Sequence, residues 1–387
     1  DVPTMELNYS LHPLEWALLA CMAVAAAMLI RFYLTVYSKV YRYKPPRPTQ
    51  EKHPVSVVLS SKNEYEALKK NLLFWLEQKY PDFEVVVVYE ESDEDVSQLL
   101  KEFERRYDKL VIINTNQSIN FFDEQKFSLS IGTKSAHNEY VIMAHPEFRP
   151  DSEYCIDHIQ AAFTPETRVV VGQAIFTERK KRFCPYSLFR MLEQSLQYLG
   201  FAIGGKAFTG RQCLLAYRKD FFLEHRGFSD SYALNCGGFD RFANRITSPR
   251  MVNVQTSPES RVKYTRTLTL REALRQERWF RNTLAASHTT PRRETRAYRF
   301  FNNLYMLFFV LGIVYFVMKC LPVQLDAVPL WALVFVFLGL CKFTVQAVVM
   351  QKAAKSFGYG TLWFMLPLYA ILSLFLQVAL WGRKRRR

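Results

Sequence analysis

Residues Val55–Glu64 read VSVVLSSKNE and Leu72–Val88 read LLFWLEQKYPDFEVVVV. Val55 to Ser60 and Phe83 to Val88 are short apolar runs rich in valine, the composition of strands buried on both faces. Between them, Asn63 to Gln78 sets Leu68, Leu72, Trp75 and Leu76 at helical spacing along one face. The alternation then repeats: Asp95 to Tyr107 reads as a helix, Leu110 to Asn114 as a strand, Gln125 to Ala136 as a helix and Tyr140 to Ala144 as a strand. Strand and helix alternating in this way predict an α/β domain with a mainly parallel, doubly wound sheet. Ligands of such sheets sit beyond the carboxyl ends of the strands. Those ends are Ser60–Glu64, Tyr89–Asp93 and His145–Glu147, the last within Val141–Pro150, VIMAHPEFRP.

Past this core the pattern is less regular. Arg168 to Thr177 reads as a strand, Ser187 to Leu199 as a helix with a Gln/Ser-speckled face, and Gly204 to Tyr217 as loop and strand. Leu270 to Leu284 reads as an Arg-rich amphipathic helix. The segment Lys44-Pro45-Pro46-Arg47-Pro48 is a stiff linker that cannot be helical.

Hydrophobic residues make up 49% of the 387-residue chain, yet its mean hydropathy is only −0.09, so the apolar residues are unevenly spread. Leu14–Tyr37, Asn303–Met318, Val328–Met350 and Thr361–Trp381 are apolar blocks near the roughly 17–25 residues that a membrane-crossing helix needs. The first block has its basic residues (Arg31, Lys39, Arg42, Lys44, Arg47) after the apolar core, which reads as a retained anchor rather than a signal peptide. The same asymmetry predicts an outside N-terminus and a cytoplasmic main domain. If the last three blocks all span, the tail Arg383–Arg387 falls outside, against the positive-inside rule. A break at Pro367, making the last block re-entrant or interfacial, resolves this, as does a block at Lys342 that does not span fully.

The net charge of +15 gathers beside these blocks, at Arg31–Arg47, Arg292–Arg299 and Arg383–Arg387. Juxtamembrane cations attract anionic headgroups at roughly 1 kcal/mol each. No nucleic-acid reading motif accompanies the charge, so nucleic acid is not an expected partner. The seven cysteines include no CxxC pair, which argues against a zinc site or a disulfide framework.

Val55–Glu64, Leu72–Val88, Lys134–Pro150, Ala216–Lys219 and Arg275–Trp279 together resemble the membrane-anchored family-2 glycosyltransferases, over residues 54–281. The resemblance implies a GT-A, nucleotide-diphospho-sugar transferase-like domain flanked by N- and C-terminal transmembrane helices. The implied layout is a short non-cytoplasmic N-terminus (1–13), a transmembrane helix (14–37), a linker (38–53) and a cytoplasmic GT-A-like domain (54–284). A basic juxtamembrane segment (285–300), a membrane region of two or three helices (301–381) and a basic tail (382–387) follow.

The resemblance also assigns roles, and the residues depart from several of them. Asn63 and Glu64 fall where the family contacts nucleobase and ribose; as a plain feature, Glu64 at a helix N-terminus is favoured by the dipole. Tyr89-Glu90-Glu91-Ser92 replaces an Asp-Asp-Gly-Ser loop, with Glu90 a longer stand-in for the base-contacting Asp and Glu91 in place of the turn glycine. His145-Pro146-Glu147 stands for Asp-x-Asp, whose task is to hold a divalent cation under the pyrophosphate. His145 and Glu147 are candidate ligands for Mn²⁺ or Mg²⁺ if the site is active, imidazole suiting Mg²⁺ less than Mn²⁺; the other reading is a lapsed site on an ordinary loop. Gly238 and Phe239 fall on the family's acidic pair, leaving Asp240 as candidate base one place later. Loss of a general base costs about 10²–10⁴ in rate. Gln212 and Leu214 stand where relatives carry Gly and Asn. Arg275, Arg278 and Trp279 keep the motif near acceptor and diphosphate, while Arg271, Arg275, Arg278 and Arg281 equally describe a basic interfacial helix.

Two functions follow. One is a catalytically impaired glycosyltransferase-like protein, a scaffold or protein partner in envelope or polysaccharide glycan assembly. The other is an active inverting transferase moving a sugar from a nucleotide-sugar donor to a lipid-linked or glycan acceptor through a non-standard metal site. Both place the chain in an inner or plasma membrane, with the main domain in the cytoplasm.

Overall fold

The computed structural model describes residues 12–62, 64–90, 93–115, 124–176, 185–208, 214–229, 242, 248–264, 269–287, 289–320, 330–360, 369 and 372. The chain divides into two compact units: residues 42–292, and residues 1–41 with 293–387.

The first helix, α1, covers Pro13–Arg42. In the larger unit there follow β1 (Val55–Ser61), α2 (Tyr65–Leu76), β2 (Phe83–Glu90), α3 (Glu94–Glu104), β3 (Leu110–Thr115), α4 (Glu124–Ser135), β4 (Tyr140–Ala144) and β5 (Phe148–Pro150). The second half adds α5 (Cys155–Gln160), β6 (Val169–Gly172), β7 (Ala174–Phe176), α6 (Pro185–Ile203), β8 (Leu215–Arg218), α7 (Lys219–Glu224), β9 (Val252–Gln255), β10 (Val262–Tyr264) and α8 (Leu270–Ala286).

Seven strands form one sheet in the order β3-β2-β1-β4-β8-β6-β9, and β5-β10-β7 form a second. β1 lies inside the sheet, parallel to β2 and to β4, and is buried along its whole length. That is why its residues read as a continuous apolar run rather than an alternation. β8 is the antiparallel member, between β4 and β6. Ser61 pairs with Tyr89 and Leu59 with Ala144, so the carboxyl ends of β1, β2 and β4 reach one edge together. Helix α4 crosses the sheet at Gly132, where an added Cβ would stand 2.5 Å from Val58 Cγ1 and 2.8 Å from Val88 Cγ2.

The strand expected over 168–177 is two. The chain leaves the large sheet after Gly172 and enters the small one at Ala174. Gln173 marks the switch: its side chain accepts from Arg261 Nε and its carbonyl from the Val262 N–H.

In the other unit, α1 and two further helices, α9 (Thr289–Cys320) and α10 (Leu330–Ser356), are long and apolar enough to cross a membrane. α1 contains a π-helical turn at Tyr33–Tyr37 and runs on to Arg42, past the expected helix end at 37. α1 and α9 are joined by Arg31–Glu294 at 2.6 Å, by Tyr33 and Tyr298 hydroxyls 3.2 Å apart, and by the Tyr315 hydroxyl donating to Glu15. Lys342, in mid-α10, faces protein. It is fully buried, donates to Gln346 Oε1 at 2.7 Å and lies over the rings of Phe343 and Tyr305. The block Thr361–Trp381 lies outside the described residues, apart from 369 and 372.

Candidate functional site

The register of the parallel strands brings Lys62, Glu64, Glu90, His145 and Glu147 to the carboxyl edge of the sheet. There four of them pair side chain to side chain. Lys62 Nζ lies 3.4 Å from Glu90 Oε2, joining the ends of β1 and β2. His145 Nε2 lies 3.5 Å from Glu64 Oε1, joining the end of β4 to the start of α2. His145 is only 14% exposed at its side chain, and Glu64 and Glu90 are about one-quarter exposed (25% and 27%). The described pairs at this edge thus set the carboxylates of Glu64 and Glu90 against His145 and Lys62.

The loop carrying His145 is held from beneath by α2. Asn71 Nδ2 donates to the Pro146 carbonyl at 2.8 Å and Trp75 Nε1 to the Phe148 carbonyl at 3.0 Å. The Phe148 N–H closes the turn on the His145 carbonyl at 2.8 Å. Within the turn, the backbone N–H of Glu147 donates to His145 Nδ1 at 3.2 Å. The rings of Phe148 and Tyr264 flank His145, with centroids at 5.8 and 6.5 Å. Asn63 and Asp240, two of the expected site residues, lie outside the described residues, as does Glu91.

A divalent cation would need donor atoms converging on one point. Among the described residues, no group of three or more His, Cys, Asp or Glu side chains could hold a metal ion. His145 also has its Nδ1 lone pair occupied by the Glu147 N–H, and its other nitrogen faces Glu64. The donor set on the described strand ends does not fit a resident Mn²⁺ or Mg²⁺.

A second polar cluster lies between α6 and α8. Glu277 Oε2, in the middle of Arg275–Trp279, accepts from Arg190 Nη2 at 2.6 Å and from Gln194 Nε2 at 2.8 Å, and Arg190 also pairs with Glu193. All are buried or nearly so. Burial acts to lower the Arg190 pKa, but Glu193 and Glu277 outweigh it and hold the guanidinium well above its ordinary value. Phe280, one turn on, packs edge-to-face on Phe208. With Glu277, Phe280, Thr283 and Leu284 turned inward, Arg275 and Arg278 are left exposed and Trp279 half-buried. An interfacial helix lays its apolar face in the membrane. In α8 that face is already packed against protein.

Sequence reasoning found Glu64, Glu90, His145, Glu147, Arg275, Arg278 and Trp279, and the structure brings the first four to one edge and the last three to one helix. It missed Lys62, Asn71 and the Arg190–Glu277 pair. The available signals were a polar Asn71 between Leu68 and Leu72 on an apolar face, and the polar speckling of α6.

The family model for Glycosyl transferase family 2 matches residues 56–226, the segment that holds β1 to β8. Among solved structures, the fold is similar to the mannosyltransferase PcManGT of Pyrobaculum calidifontis, in complex with GDP-Man and Mn²⁺. The TM-score is 0.56 at 14% identity, covering 94% of this chain and 99% of that one. Also similar is TarS of S. aureus, residues 1–349, at TM-score 0.41 and 14% identity over 79% of this chain and 88% of that one. The same segment in complex with UDP-GlcNAc gives a TM-score of 0.41 and 15% identity over the same shares. A comparison with curated proteins finds no match. The chain thus has a GT-A-like α/β fold, is similar to Glycosyl transferase family 2 over residues 56–226 and, among the described residues, has three helices long and apolar enough to span a membrane.

Proposed function

We propose that this protein is a catalytically impaired glycosyltransferase-like membrane protein, a scaffold or protein partner in envelope or polysaccharide glycan assembly. One observation carries the reading: side chains at the strand ends are paired with each other, Lys62 with Glu90 and His145 with Glu64. Glu64, Glu90 and His145 are positions at which the resemblance places donor and metal contacts. An anionic diphosphate would meet the carboxylates of Glu64 and Glu90, with Lys62 already paired to Glu90. The exposed Arg293 and Arg296 suit anionic headgroups beside a membrane-spanning α9, with the main domain cytoplasmic.

Arg275 and Arg278 favour the second reading, an active inverting transfer from a nucleotide sugar to a lipid-linked or glycan acceptor. Both are exposed on a helix anchored through Glu277, as a phosphate-binding pair would be.

A transfer assay decides between them. Detergent-purified full chain is incubated with UDP- and GDP-sugars, membrane lipid extract as acceptor, and Mn²⁺ or Mg²⁺. The proposal expects no sugar transfer. Transfer that disappears in Glu147→Ala and Asp240→Ala would establish the enzyme instead.

A further inference from the structure

The turn after β4 decides what His145 can offer a ligand. Its Nδ1 accepts the Glu147 backbone N–H at 3.2 Å, so in the neutral ring the proton resides on Nε2. Nε2 is the nitrogen that faces Glu64 across the strand ends, at 3.5 Å. Towards the other strand ends, His145 thus presents an N–H. Metal coordination requires a lone pair there. At the ends of β1 and β2, Lys62 lies 3.4 Å from Glu90. Asn71 and Trp75 hold the backbone of the turn, which keeps the Glu147 N–H beside the ring.

We infer that the described strand ends do not take up a divalent cation, because His145 presents a hydrogen-bond donor where metal ligation would be expected. The inference rests on the reading of this edge as the donor cleft of a GT-A-like domain. It can fail separately from the proposed loss of transfer. Metal-independent transfer would sink that proposal and leave this inference standing, whereas Mn²⁺ capture without transfer would do the reverse.

The test is electron paramagnetic resonance of Mn²⁺ titrated into detergent-purified full chain, with UDP or with GDP present. Wild type is expected to leave the free-Mn²⁺ signal at the level of the nucleotide-only control. His145→Asp replaces the N–H donor with an oxygen ligand. An Asp side chain can still accept the N–H two residues on, so the turn is retained. This variant is expected to attenuate the signal. Attenuation by wild type that returns to the control level in His145→Gln overturns the inference. A His145→Asp signal equal to the control overturns the assignment of metal exclusion to His145. Both variants are checked for an unchanged melting transition, and the wild-type titration needs no variant at all.

Discussion

The strand-end edge and the α6–α8 seam are both polar clusters of one domain, and they are built differently. At the strand ends, Lys62 meets Glu90 at 3.4 Å and His145 meets Glu64 at 3.5 Å, with the side chains partly exposed. In the seam, Glu277 is clamped at 2.6–2.8 Å by two buried donors. Exposed pairs of the first kind contribute about 0–1 kcal/mol. Breaking a buried pair of the second kind costs about 3–5 kcal/mol, because a charge is left without compensation. The seam positions α8 through short buried contacts, whereas the described side-chain pairs at the strand ends are longer and partly exposed.

The strongest way to break the comparison is to remove one partner of the seam. Arg190→Ala should destabilise the domain by about 3–5 kcal/mol. Replacing Arg190 by Met, Glu193 by Gln and Glu277 by Leu together should recover most of that loss. Denaturant unfolding of the single and triple variants checks both, and a loss near zero for Arg190→Ala would show the seam to be as weak as the strand ends.

The support beneath the strand ends should give the next effects. Gly132→Ala pushes a methyl group into Val58 and Val88, an overpacking expected to cost about 1–3 kcal/mol. Asn71→Ala leaves the Pro146 carbonyl without its buried donor and should cost about 1–3 kcal/mol. Both are read as shifts of the unfolding midpoint.

At the opposite end of the same strands, Glu84 accepts from Ser56 Oγ and from the backbone and ring of His137. Burial acts to raise its pKa, but the Ser56 and His137 hydrogen bonds outweigh that and hold it below the ordinary glutamate value. A depressed carboxylate contributes stability that is complete above its unfolded pKa and is lost as pH falls through the folded one. Melting temperature should therefore fall more steeply on acidification in wild type than in Glu84→Gln. Equal slopes would remove Glu84 as the cause.

The smallest effect should come from the site itself. Lys62→Ala is expected to change stability by no more than about 1 kcal/mol.

Much of the scaffold was legible because its strands are continuous apolar runs, and a parallel sheet covered on both faces leaves little else for such runs to be. The switch at Gln173 was not, since VVVGQAIF is apolar on either side of it and nothing local says that the two halves enter different sheets. At the site, the strand ends could be located from pattern alone. What they touch could not: the His145–Glu64 pair is a contact across the sheet edge, and the Arg190–Glu277 pair joins residues 87 apart. The speckled face of α6 announced a polar partner without naming it. The α8 arginines were readable either as phosphate ligands or as an interfacial face, and only the packing of Phe280 on Phe208 shows which side of that helix is taken.

The most direct test of the central claim is a thermal-shift panel on the detergent-purified chain, with UDP, GDP and their sugars, each with and without Mn²⁺ or Mg²⁺. A ligand binding only the folded state at about a hundred times its Kd stabilises by about 2.7 kcal/mol, a shift that is easily seen. A self-paired, metal-free edge predicts no shift that depends on the cation. A metal-dependent rise with one nucleotide, lost in His145→Gln, would contradict it and restore the strand ends as a working donor site.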